Sequence, residues 1–189
     1  MTINSIDSAE EALAQPEVIE AIHRGIMSFK DSRVTYQLHN QRSEDWNDPE
    51  EWVRACSIAW LVIDRGYPAN RLKTEVTVPR RTPSDLADIV VYVDDACREP
   101  YLVVENKASG QSGRDRLQAV EQLFGNANSL RAALGLYDEG TQSAFYDVAI
   151  IPHRNDKQIS WGTEPHFPPN TDKFRSMLTL LANRVISSP

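Results

Sequence analysis

Residues 86–107 read LADIVVYVDDACREPYLVVENK. Asp88 leads into the apolar run Ile89–Val93. After a polar turn, a second run, Tyr101–Val104, closes in Glu105-Asn106-Lys107. Both runs are apolar at successive positions, the pattern of strands buried on both faces. Glu105 and Lys107 stand two apart, so their side chains share a face, about 7 Å apart along the backbone. If the two strands pair as a hairpin, Asp88 joins them. Two carboxylates can hold a hard divalent cation, and an ammonium beside them can meet a phosphate or a water. Charges at the ends of buried strands point to a functional site rather than to a solvated salt-bridge cluster.

Upstream, Arg71–Val78 alternates, with Leu72, Thr74, Val76 and Val78 on one face and Lys73, Glu75 and Thr77 on the other, as in a half-buried strand. Arg80–Ser84 reads as a turn. Asp48-Pro49-Glu50-Glu51 is a helix start, with an N-cap acid, proline at N1 and an acid at N3. That helix is expected to run to about Arg65 and stop at Gly66, burying Trp52, Cys56, Ala59, Trp60 and Ile63. Ser8 to about Lys30 carries a helical pattern broken at Pro16; Arg33–Leu38 suggests a short strand and Gln41–Asn47 a polar loop. Downstream, a long helix is expected over about 115–136, a strand over Phe145–Ile151, a short partner at Gln158–Trp161, and a helix over about 171–186 after the Pro-rich segment 165–169. The order predicts an α/β fold, a central mixed sheet flanked by helices.

The 189 residues suffice for one domain with a real core, and 41% apolar with 25% charged residues is an ordinary globular composition. The net charge is 20 − 27 = −7, so bulk charge does not draw the chain to nucleic acid, and any affinity for phosphate is local. No apolar run approaches a membrane span, the N-terminus lacks a signal-peptide core, and Cys56 and Cys97 make neither a disulfide framework nor a zinc site. A cytoplasmic location is expected. The histidines 23, 39, 153 and 166 lack ligand spacing.

Asp88, a gap of sixteen residues and Glu105-x-Lys107 resemble the PD-(D/E)xK nuclease signature. PEEWVR (49–54), GYP (66–68), Glu75 in KTEVTVP, ADIVVY (87–92), PYLVVENKA (100–108) and EQL (121–123) follow in the same order as in the N-terminal nuclease domain of type I restriction endonuclease R subunits and its relatives. The resemblance covers about residues 46–135. It implies a restriction-endonuclease-like core over residues 46–189, with residues 1–45 as an N-terminal helical extension. The two would form one globular unit, cut from a longer protein.

The resemblance also implies chemistry. Asp88 and Glu105, with the backbone carbonyl of Asn106, would bind Mg²⁺, for which Mn²⁺ can substitute. Lys107 would orient the attacking water and steady the phosphate. The family helix after the core often carries Q-x-x-x-Y; Gln122 matches the glutamine as a substrate contact, but Asn126 stands at the tyrosine position, and Ala87 replaces the proline of the motif name. Glu75 reads either as a solvent-facing strand acid or as a supporting ligand. Glu51 reads as the N3 acid of a capping box bonding the Asp48 N–H, although the matching family glutamate can sit near the active site. Arg71, Lys73, Arg80, Arg81, Arg114, Arg116 and Arg131 read mostly as plain surface, with a few lining a phosphate track.

The activity implied is Mg²⁺-dependent DNA endonuclease chemistry within a restriction–modification or related defence system. The partners would be DNA and helicase/translocase or methyltransferase domains or subunits. The alternatives are a catalytically silent nuclease-fold module that docks or binds DNA, and a nuclease for RNA or repair intermediates.

Overall fold

A computed structural model describes residues 6–79 and 85–148 and the backbone of 158–159. The expected turn at 80–84, the Pro-rich segment 165–169 and the helix at 171–186 lie outside the described residues, as do Arg80, Arg81, His153 and His166.

The chain opens with two short helices, α1 (Ala9–Leu13) and α2 (Pro16–His23), and a meander of β1 (Met27–Lys30), β2 (Arg33–Gln37) and β3 (Gln41–Asp45). Helix α3 (Pro49–Ala59) continues into a π-helical turn, Trp60–Asp64, and a 3₁₀ turn at Ala69–Arg71 precedes β4 (Leu72–Val78). Then come β5 (Asp85–Tyr92), β6 (Pro100–Asn106), α4 (Gly113–Leu130), β7 (Leu134–Asp138), β8 (Ser143–Asp147) and β9 (Gln158–Ile159). The main sheet runs in the order β4-β5-β6-β7-β8-β9. All its pairs are antiparallel except β6 with β7, which α4 joins as a parallel crossover. This is the α/β, restriction-endonuclease-like core that the sequence predicts.

Burial on both faces follows from the two apolar runs. Ile89, Val91, Leu102 and Val104 face a core shared with Ala55, Ile58 and Leu61 of the α3 segment. Val90, Tyr92 and Val103 face a second core with Ala119, Val120, Leu123, Phe124 and Ala127 of α4. The first core also takes in Val18, Ala21, Met27, Val34 and Tyr36, so the N-terminal segment packs continuously with the rest of the described chain. None of the described helices is long and apolar enough to cross a membrane.

The structure departs from the sequence reading in four places. Residues 1–45 are not simply helical: β1 occupies the end of the helical pattern, and the polar segment at 41–47 holds β3. β3 is exposed along most of its length, so its backbone pairs with β2 without an apolar face to announce it. The helix expected over 115–136 ends at Leu130, where Arg131 caps it in the left-handed conformation at φ 61°, and residues 134–138 form β7. The apolar stripe Leu117–Ala127 hid that end, because Leu134 and Leu136 extend it at near-helical spacing. Finally, α3 buries Glu51, Val53, Arg54, Ala55, Ser57, Ile58 and Ala59, while Trp52 and Cys56, with Trp60 and Ile63 of the turn that follows, are only half-buried. An apolar-periodicity rule assigns charges to solvent, and this helix turns two of them inward.

Candidate active site

The register brings the signature residues together. Ile89 pairs with Val104, so Asp88 and Glu105 stand just beyond that pair on adjacent antiparallel strands. The Asn106 backbone N–H donates to Asp88 Oδ2 at 2.6 Å. Lys107 Nζ lies 2.9 Å from Glu105 Oε1 and 3.3 Å from Glu50 Oε1. Glu105 is fully buried, and neither of its oxygens accepts a directed hydrogen bond.

Arg54 of α3 sits among the acids. Its Nη2 donates to Asp88 Oδ1 at 2.9 Å, and its Nη1 reaches Glu51 Oε2 at 3.0 Å and Glu75 Oε1 at 2.8 Å. Glu75 lies within β4 at φ 52°, a left-handed conformation strained for a side-chain-bearing residue. Its flanking pairs are Thr74 with Ile89 and Val76 with Ala87, which places it beside Asp88 across the strands. Glu75 thus joins the cluster rather than facing solvent alone.

Glu51 is not the reciprocal arm of a capping box. The Asp48 side chain caps the helix through Glu50 N, while the Asp48 N–H donates to Asp45 O. Glu51 instead accepts the Tyr36 hydroxyl at 2.5 Å and pairs with Arg54. Burial makes this arrangement costly to break, because an unpaired guanidinium or phenol hydroxyl inside the protein is unfavourable.

A second chain of bonds backs β6. Asn106 Nδ2 donates to Ser57 Oγ at 2.8 Å, and Ser57 Oγ donates to Asp138 Oδ2 at 2.8 Å. Asp138 Oδ1 accepts Gly140 N, and the Lys107 backbone N–H donates to Asp138 O. Helix α4 is tied to the start of β5 by two amides: Gln122 Nε2 to Asp85 Oδ1 at 3.1 Å and Asn126 Nδ2 to Leu86 O at 3.4 Å. Asn126, at the tyrosine position of the family helix, is buried and serves this docking. Arg71 is paired with Asp95, and Arg116 grips Glu139 with two nitrogens; neither is free to line a phosphate track as placed.

Sequence reasoning missed Arg54, Glu50, Ser57, Asp138 and Tyr36. The one available signal was that Glu50 and Glu51 precede Arg54 by four and three residues, which puts both acids within reach of it on the helix surface.

Five carboxylates, Glu50, Glu51, Glu75, Asp88 and Glu105, share two cations, Arg54 and Lys107. Burial, with the Asp88 charge adding to it, pushes the Glu105 carboxyl up to about 8. Burial also lifts Glu51 to about 7, against the pull of Arg54, and raises Glu50 and Glu75. Burial works against the Lys107 ammonium, but Glu105 and Asp88 outweigh it and hold the group above the usual lysine range. Lys107 therefore stays charged while the acids compete for protons and counter-ions. Among the described residues no three His, Cys, Asp or Glu side chains already converge as an ion cage. The two cations are interleaved between the acids instead.

The family model described as the type I restriction enzyme R protein N terminus matches residues 49–158, more than half of the chain. The chain belongs to this family. The match starts at the first residue of α3 and takes in every member of the acidic cluster, but not Tyr36. No curated protein and no solved structure matches the chain significantly. Membership makes it a restriction-system module, and the region that carries the family match is the region that builds the site.

Proposed function

We propose that the chain is the Mg²⁺-dependent DNA endonuclease module of a type I restriction system. The observation that carries this reading is Lys107 Nζ at 2.9 Å from the buried Glu105, next to an Asp88 aligned by the Asn106 backbone. The donor set fits a hard dication: Glu105 Oε2 is buried without a hydrogen bond, Oε1 is met by the Lys107 ammonium, and the acids outnumber the cations around them. Asp88, Glu105 and the Asn106 carbonyl would hold Mg²⁺, or Mn²⁺ in its place. When bound, the ion supplies charge neutralisation at the scissile phosphate and a more acidic water.

The chain's own residues do the rest. Lys107 brings a fixed positive charge to the non-bridging oxygens and orients the water, a contribution that grows in a site shielded from solvent. Glu105 pairs with its ammonium and the Asp138 carbonyl accepts its backbone N–H at the end of a buried strand, so its position is set by the sheet. Substituting Lys107 by Ala is expected to abolish plasmid nicking while far-UV circular dichroism stays unchanged. Undiminished nicking by that variant overturns the reading. Substrate DNA and a helicase/translocase or methyltransferase subunit are the partners proposed with it.

A second reading, a silent docking or DNA-binding module, is favoured by one feature: Arg54 already neutralises Asp88. Calorimetry with Mg²⁺ or Mn²⁺ separates the two. Binding that requires Asp88 and Glu105 supports the nuclease; its absence supports docking.

A further inference from the structure

Arg54 is the most deeply embedded cation of the site and belongs to no part of the nuclease signature. Its two terminal nitrogens face different carboxylates. Nη2 serves Asp88 and lies 4.0 Å from Glu50, whereas Nη1 serves Glu51 and Glu75. Glu51 in the second pair is anchored independently of Asp88 by the Tyr36 hydroxyl, and Glu75 is a residue of β4 beside it. Asp88 is likewise anchored independently of Arg54, through the Asn106 N–H. Arg54 Nε is buried without a partner, so the guanidinium is not fully satisfied where it stands.

We infer that Arg54 is a two-position counter-ion: it neutralises Asp88 in the metal-free protein and is retained by Glu51 and Glu75 when a divalent cation occupies Asp88 and Glu105. The inference rests on the metal reading proposed above. A dication and a guanidinium on the same carboxylate repel, and weak solvent screening sharpens that repulsion. Expelling the guanidinium altogether would leave a buried charge unpaired. Glu51 and Glu75 remove that difficulty by keeping Nη1 paired after Nη2 lets go. Asp88 keeps its orientation through Asn106, so the exchange needs no movement of β5.

The test is Mn²⁺ calorimetry on the full chain. Arg54→Met is expected to tighten Mn²⁺ binding by about tenfold or more, since the competing charge is gone. Glu51→Gln is expected to weaken binding in the otherwise unaltered protein and to have little effect once Arg54 is Met. That non-additivity separates a counter-ion exchange from a plain sum of charges. Unchanged or weaker binding by Arg54→Met, or an equal effect of Glu51→Gln in both backgrounds, overturns the inference.

If Arg54→Met does not fold, the unsubstituted protein answers instead. Nitrogen-15 spectra of the arginine side chains are expected to show Arg54 shifting as Mg²⁺ saturates the site while staying protected from exchange. Arg54 signals unmoved at saturation overturn the exchange. No Mn²⁺ binding dependent on Asp88 and Glu105 in the unsubstituted protein overturns the metal reading, and this inference with it.

Discussion

The backbone N–H of Asn106 donates to Asp88 Oδ2 at 2.6 Å, so the first acid of the site is aimed by the peptide that follows the second. The other Asp88 oxygen takes Arg54 Nη2 at 2.9 Å. Both oxygens of one buried carboxylate therefore face donors, and the hairpin is closed by a side chain as well as by its ladder.

That geometry makes Asp88→Asn more than a loss of charge. An amide has one acceptor oxygen, so its NH₂ group must face either the Asn106 N–H or the Arg54 guanidinium. The expected cost is about 1–3 kcal/mol in urea denaturation, together with loss of plasmid cleavage. A variant as stable as the parent would contradict the two-donor geometry.

The raised Glu105 and Glu51 carboxyls set a pH dependence. Their folded values, about 8 and about 7, lie above that of an unfolded glutamate, roughly 4.3. The folded chain then holds protons that the unfolded chain has lost. Their contribution to stability is complete below roughly pH 4.3 and disappears as pH rises through about 7 and then about 8. Glu105→Gln cannot ionise, so its stability relative to the parent is expected to improve steadily from roughly pH 5 to roughly pH 8.5. Urea midpoints measured across that range check this, and parallel curves for the two proteins would refute it.

Ser57 joins Asn106 Nδ2 to Asp138 Oδ2 in the protein interior. Ser57→Ala leaves both groups buried without that partner and is expected to cost about 1–3 kcal/mol. For a chain of this size each kcal/mol lowers Tm by about 2–4 °C, within reach of a thermal melt. Cleavage should fall as well, because Asn106 lies between Glu105 and Lys107. Full activity in a destabilised Ser57→Ala would restrict the relay to a structural role.

The N-terminal meander is expected to be required for the site although it precedes the family match. Tyr36→Phe should cost about 1 kcal/mol by removing the hydroxyl from Glu51. Deleting residues 1–45 strips Val18, Met27, Val34 and Tyr36 from the core around Ile58 and Leu61. Thermal melts followed by circular dichroism should show that shortened chain losing its cooperative transition. A sharp transition near the parental Tm would show that residues 46–189 fold alone.

Local pattern exposed much of this architecture. The two apolar runs at 89–93 and 101–104 identified β5 and β6, and the Asp48-Pro49 start identified α3, because each depends on neighbours in the chain. β7 stayed hidden behind an apolar stripe continuous with α4, and β3 because an edge strand with a polar surface needs no alternation. Arg54 escaped for a related reason: charge at a helical position reads as surface unless its partners are known, and Asp88 is 34 residues away.

By itself, then, the sequence determined the buried hairpin, the placement of Asp88 ahead of its first apolar run and of Glu105 and Lys107 at the close of the second, and the kind of site they resemble. The tertiary structure decided what surrounds them. It drew Glu50, Glu51 and Arg54 in from α3, Glu75 from a strained position within β4, and Tyr36 from β2, a strand the sequence suggested without its place in the core. The division has a physical cause. Strand and helix patterns arise from contacts between near neighbours, whereas a buried ion must be neutralised by whatever charge the fold carries to it.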